Sequence, residues 1–148
     1  MNVINYVCFE FPSLPENVSF ARSCVGAFVS QLNCTLDDIE EIKLVVSEAV
    51  SNCIIHAYQN RHDGKIEITV SLLDDRSLEL TVKDFGQGIE NIEEALQPSY
   101  SSDPTRMGLG FTFMKSFMDE MEITSQVNKG TSLLLKRRFL TQDREAYA

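Results

Sequence analysis

Between residues 42 and 82 the apolar residues of this chain change period once, from that of a helix to that of a strand. Ile42, Val45, Val46, Ala49, Val50, Cys53, Ile54 and Ala57 recur at i, i+3, i+4 and i+7, which places them on one face of a long amphipathic helix. After a polar break at 60–64, Ile66, Ile68, Val70 and Leu72 alternate with Glu67, Thr69 and Ser71. Beyond an Asp74-Asp75-Arg76 turn, Leu78, Leu80 and Val82 alternate with Glu79, Thr81 and Lys83. Two such strands read as an antiparallel hairpin with one buried face. A helix with one apolar face and a hairpin with another bury them against each other, so the expected class is α+β, a two-layer α/β sandwich.

The remaining elements fit around that pair. A first strand is expected at 7–11 and a helix at 16–31, with Phe20, Val25, Phe28, Val29 and Leu32 roughly at helical spacing. Thr35 is a good N-cap for the long helix, which is expected to run to about 58, and Asp37 and Asp38 favour its dipole. A polar, Gly/Pro-punctuated stretch at 84–107 has room for a short helix near 92–96. A helix at 108–118 and two strands at 122–127 and 131–139, around an Asn128-Lys129-Gly130 turn, complete the chain. Residues 1–148 are expected to form one domain, with 141–148 a frayed tail.

Charge and composition narrow the function. No window approaches the roughly 20 apolar residues of a membrane helix, and 1–11 lacks the pattern of a secretory signal, so a cytoplasmic location is expected. Cys8, Cys24, Cys34 and Cys53 form no C-x-x-C pair and read as structural thiols in a reducing compartment. The net charge of −9 argues against a nucleic-acid footprint. It also sets a condition on any phosphate-bearing ligand, which must be held by a cation, by backbone N–H groups and by a helix N-terminus.

Several polar residues stand where apolar ones are expected. Glu48 and Asn52 share a face of the long helix at the edge of its apolar stripe, with His56 one turn further. Taken alone, they read more readily as a solvated carboxylate and a satisfied buried amide than as a site. Asp84 has the parity of Leu78, Leu80 and Val82, so its carboxylate points to the buried face, where an unpaired charge is costly. Gly86 and Gly88 follow it and let the backbone leave the strand tightly. Thr131 shares the inward parity of Leu133 and Leu135. Gly108, Leu109 and Gly110 open a helix whose free N–H groups suit an anion, and Arg106 stands just before them. The chain contains no P-loop, no protein-kinase H-R-D set, no nucleophile elbow and no zinc helix motif.

Taken in order, E-A-V-S-N-C-I-I-H-A (48–57), D-F-G-Q-G-I (84–89), G-L-G-F (108–111) and G-T-S (130–132) resemble the N box, the two glycine boxes and the terminal Thr of the GHKL ATPases. Within that superfamily the chain is similar, over nearly its whole length, to the anti-sigma F factors, switch-protein serine kinases of spore-forming bacteria. E-N-V-S-F-A-R (16–22), E-I-K-L-V-V-S-E-A-V (41–50), E-E-A-L-Q-P (93–98) and G-F-T-F-M-K-S-F-M-D (110–119) carry that likeness. Histidine kinases share the pocket but carry a preceding phosphoacceptor helix, for which the start at Met1 is expected to leave no room.

The resemblance implies a Bergerat fold with a mixed, mostly antiparallel sheet, and ATP and Mg²⁺ as ligands. It implies that Asn52 holds Mg²⁺, that Asp84 accepts the adenine amino group with Thr131 in support, and that Gly86, Gly88, Gly108, Leu109 and Gly110 shape the phosphate cradle. It implies Glu48 as the base for an attacking serine hydroxyl, Arg106 near the γ-phosphate, and Arg22 at a partner interface. The implied partners are a sporulation sigma factor of the sigma F type, an anti-anti-sigma factor phosphorylated on serine, and a second copy of the chain in a homodimer. A general stress-type switch kinase and a nucleotide-gated binding module without catalysis are the alternatives. The chain departs from the family in a shorter segment between Pro104 and Gly108, and in Cys53 and Ala57, where Ala and Gly are usual.

Overall fold

A computed structural model of the chain describes residues 2–97 and 107–139. The elements run β1 (Val3–Pro12), α1 (Glu16–Val29), α2 (Leu36–Asn52), β2 (Lys65–Leu73), β3 (Ser77–Asp84), α3 (Ile92–Ala95), α4 (Met107–Phe117), β4 (Glu120–Gln126) and β5 (Gly130–Arg138). The five strands form one sheet in the order β1-β2-β3-β5-β4.

Every pairing in that sheet is antiparallel, so the expected parallel component is absent among the described residues. The connections explain the correction. A single crossover helix returns the chain to start a parallel strand. Here two helices, α1 and α2, packed on each other, lie between β1 and β2, and the extra pass reverses the next strand. Between β3 and β5 the described residues pass through the short α3, then α4 and β4, and β5 runs antiparallel to both β3 and β4.

The sheet buries one face. Ile66, Ile68, Val70, Leu78, Leu80 and Leu135 are fully or almost fully buried, as are Val45, Val46 and Val50 of the long helix. The alternate residues Glu67, Thr69, Glu79 and Thr81 are only half-buried, so the period read in the sequence is the period of burial. β1 starts four residues earlier than the expected 7–11 because Val3, Ile4, Asn5 and Tyr6 are exposed. Their place comes from pairing with β2, as in Tyr6↔Ser71, and not from a buried face that would write a pattern.

The long helix is fixed at its N-terminal end. Thr35 and Asp38 form a reciprocal capping box, Asp38 N–H donating to Thr35 Oγ1 at 3.0 Å and Thr35 N–H to Asp38 Oδ2 at 2.9 Å. Arg137 of β5 reaches across to Asp38 at 2.5 Å and Glu41 at 2.8 Å, its own side chain only 15% exposed. Arg137→Ala leaves two carboxylates without their cation. Because those carboxylates are partly solvated, the expected loss is about 1–3 kcal/mol, below that of a fully buried pair. Urea denaturation at neutral pH reads this directly, and an unchanged midpoint would mean the pair adds nothing.

At the other end the helix departs from expectation. The α-helix stops at Asn52, and Cys53–Ala57 widens into a π-helical turn. Such a turn inserts an extra residue and re-aims the groups around it.

Candidate functional site

Asp84 is the last residue of β3 and, as its parity required, its carboxylate is buried at 5% exposure. Oδ1 accepts from Gly86 N–H at 3.0 Å and from Thr131 N–H at 3.2 Å. Burial pushes the carboxyl above its usual range, and the Gly86 and Thr131 amides and the Cys53 thiol pull the other way. Around it lies a cleft of about 50 Å³ walled by Ala49, Cys53, Ala57, Val82, Phe111 and Leu133, with Asn52 and His56 also lining it. Apolar walls with a single carboxylate acceptor, whose backbone neighbours are donors, suit a flat heteroaromatic ring bearing an N–H group.

The loop after Asp84 is latched onto the π-helical turn. Gln87 N–H donates to Ala57 O at 3.0 Å, and Gln87 Nε2 donates to His56 O at 2.6 Å. Gly86 lies so close that a Cβ there would sit 2.3 Å from Ala57 O. Gly88 adopts φ +76°, the left-handed region that favours glycine, with Gln126 O 2.3 Å from where its Cβ would be. His56 and Ala57 end the helical run, where carbonyls lack intrahelical donors, and the glycine loop takes them.

Glu48 and Asn52 face α4, one turn apart on α2. A Cβ on Gly110 would lie 2.6 Å from Glu48 Oε2 and 3.4 Å from Asn52 Nδ2, so only a glycine lets the first turn of α4 come this near. Glu48 is half-buried, and burial raises its carboxyl above the ordinary value. Asn52 Nδ2 is buried with no hydrogen-bond partner, which a polar ligand would satisfy. Gly108, Leu109 and Gly110 occupy the first turn of α4, where backbone N–H groups lack intrahelical acceptors. Among the described residues, no three His, Cys, Asp or Glu side chains gather as a preformed metal site.

Thr131, half-buried, holds its Oγ1 2.8 Å from Ser125 Oγ, and Ser125 Oγ accepts from Ile89 N–H at 2.7 Å. Ser125 ties the glycine loop to Thr131, yet a serine on an exposed edge strand gives no sequence signal. Arg106 lies outside the described residues. Arg22 is not brought to the cleft and lines a separate groove with Glu40, Lys43 and Leu44.

Residues 11–137 match the family described as the histidine kinase-like ATPase domain. An anti-sigma F factor of Priestia megaterium is 47% identical over 135 residues, 90% of this chain and 92% of that relative. One from Geobacillus sp. (strain WCH70) is 50% identical over 135 residues, with the same shares covered. The chain belongs to the anti-sigma F factor family. A solved structure of the RsbU and RsbW domains of a Mycobacterium tuberculosis protein contains a similar fold, with a TM-score of 0.67 and 18% identity, over 90% of this chain and 32% of that one. In this anti-sigma F family member the four motifs, far apart in sequence, converge as the end of α2, the exit of β3, the start of α4 and the start of β5. No helix among the described residues is long and apolar enough to cross a membrane.

Proposed function

We propose that the chain binds ATP with Mg²⁺ in the cleft around Asp84 and works in the cytoplasm as a homodimeric anti-sigma factor and serine kinase. With ATP bound it sequesters a sporulation sigma factor of the sigma F type. It transfers the γ-phosphoryl group to a serine of an anti-anti-sigma factor and so inactivates that antagonist. The observation that carries the reading is Asp84, a 5% exposed carboxylate at an apolar cleft. Adenine offers apolar faces to the walls and its amino group to the carboxylate.

The other roles are those the family resemblance implies. Asn52 holds Mg²⁺ through its amide oxygen, a hard donor suited to that ion, and the ion supplies charge neutralisation to the phosphates. Gly86, Gly88, Gly108, Leu109 and Gly110 shape the cradle, with the N–H groups of the first turn of α4 turned to anionic oxygens. Thr131 supports Asp84 from β5. Arg106 clamps the γ-phosphate. In the transfer, the serine oxygen bonds to the γ-phosphorus, the bond to the β–γ bridging oxygen breaks, ADP leaves, and Glu48 takes the serine proton. Arg22, set apart from the cleft, belongs to the partner surface. The homodimer is supported by the free edge strand β1, where Val3, Ile4 and Tyr6 are 53%, 65% and 65% exposed.

Two measurements test this. Radiolabelled ATP with an anti-anti-sigma protein is expected to label that protein on serine, and ATP-gated sigma binding without label would reduce the chain to a binding module. Asp84→Asn loses acceptor capacity on one carboxylate oxygen and is expected to weaken ATP binding about 10-fold or more. An unchanged ATP titration would remove Asp84 from adenine recognition.

A further inference from the structure

The β2–β3 ladder is interrupted at the point where the cleft begins. Ile66 pairs with Asp84, so the next antiparallel pair would be Lys65 with Phe85. That direct bond is replaced by a bridge. The hydroxyl of Tyr58 donates to Lys65 O at 2.5 Å and accepts from Phe85 N–H at 2.7 Å. One side-chain oxygen therefore stands between two strands that would otherwise close, and β3 splays from β2 directly after Asp84.

Tyr58 is held for that task. It is 3% exposed and follows the π-helical turn, its own N–H donating to Cys53 O at 3.0 Å. Gly64 packs flat on its ring, where a Cβ would meet ring carbons at 2.5 Å. Burial raises the phenol above its usual range, so at neutral pH it keeps the proton it needs to donate and accept at once. On the outer side the Phe85 ring lies under Lys65 Nζ at 4.8 Å and Lys83 Nζ at 5.1 Å. The peptide that follows Asp84 is fixed from within by a hydroxyl and from without by two cations over the next ring.

We infer that Tyr58 is a positioning residue for adenine recognition: by bridging Lys65 O and Phe85 N–H it holds the exit of β3 open and aims the Asp84 carboxylate into the cleft. The inference rests on the reading of Asp84 as the adenine acceptor. Tyr58→Phe keeps the ring and removes only the bridge, so β3 is free to close on β2 and turn the carboxylate away.

The test compares ATP with purine riboside triphosphate, which lacks only the 6-amino group, by equilibrium titration of the full chain with Mg²⁺. The wild-type protein is expected to prefer ATP about 10- to 100-fold, as for a hydrogen bond to a charged group. Tyr58→Phe is expected to cut that preference to about threefold or less while the analogue's affinity barely moves. A purely structural role would weaken both ligands alike and leave the ratio intact, which would overturn the inference. Absence of any preference in the wild type would instead sink the adenine reading of Asp84. If Tyr58→Phe does not fold, hydrogen exchange in the wild type decides. At equal saturation ATP must slow exchange of the Phe85 amide at least about threefold more than the analogue does, and equal protection overturns the inference.

Discussion

Glu48→Gln is expected to lower phosphoryl transfer to serine by about 10²- to 10⁴-fold while ATP affinity stays within about threefold. The substitution is nearly isosteric and removes only the capacity to take a proton. Glu48 lines no part of the described cleft around Asp84 but stands against Gly110, beside Asn52. Single-turnover transfer with radiolabelled ATP, beside an equilibrium ATP titration, separates chemistry from binding. A glutamine variant that transfers at the wild-type rate would remove Glu48 as the base.

The pH dependence carries a sign that follows from burial. Burial raises the Glu48 carboxyl above its ordinary value, so transfer is expected to fall on the acid side at a higher pH than an ordinary carboxylate would give. Stability runs the other way. A carboxyl that holds its proton more tightly when folded favours the fold below its unfolded pKa and loses that advantage as pH rises through the folded value. At neutral pH the glutamine variant should therefore unfold at the same temperature as the wild type or higher. A catalytically dead, equally stable protein is the expected outcome, and a lowered melting temperature would contradict the sign.

Gly130→Ala should be the most damaging glycine substitution among the described residues, at about 2–4 kcal/mol. Gly130 opens β5 with φ +121°, and a Cβ would lie 2.1 Å from Asp84 O and 2.8 Å from the Phe85 Cα. Both obstacles are backbone, so nothing can swing aside. The strands must part where Thr131 N–H meets Asp84 Oδ1, and ATP affinity should fall with stability. For a domain of this size the melting temperature should drop by roughly 5–15 °C. Gly26→Ala is the control, since its Cβ would meet only the Lys43 stem at 2.9 Å, and its cost should stay under about 1 kcal/mol. Equal effects at the two glycines would show that the Asp84–Gly130 contact is not what limits the site.

What could be read from the sequence was whatever burial writes as a period. The hairpin of β2 and β3 and the inward turn of Asp84 came from alternation alone, and the stripe from Ile42 to Ala57 marked the long helix. The π-helical turn was hidden because Cys53, Ile54 and Ala57 continue the helical stripe while the backbone widens beneath them. Tyr58 was hidden for the opposite reason. It read as the last residue of a helix, and nothing local tells that its hydroxyl reaches Lys65 and Phe85. Ser125 sits on an edge strand of alternating exposure, where a serine is unremarkable until its bonds to Thr131 and the Ile89 amide are seen. Gly110 was legible as a helix opener, but its closeness to Glu48 depends on how two helices pack, which local spacing does not encode.

β3, the middle strand, takes its second partner from the far end of the fold, after α4 and β4 have been made. During synthesis the chain emerges in order and domains fold as units. A ribosome-bound polypeptide that has exposed everything through α4 still lacks Thr131, Leu133 and the amide that caps Asp84. If the cleft takes nucleotide as proposed, a nascent or prematurely terminated product offers no complete pocket, and ligand-induced protection from proteolysis is expected to begin only with chains that have finished β5.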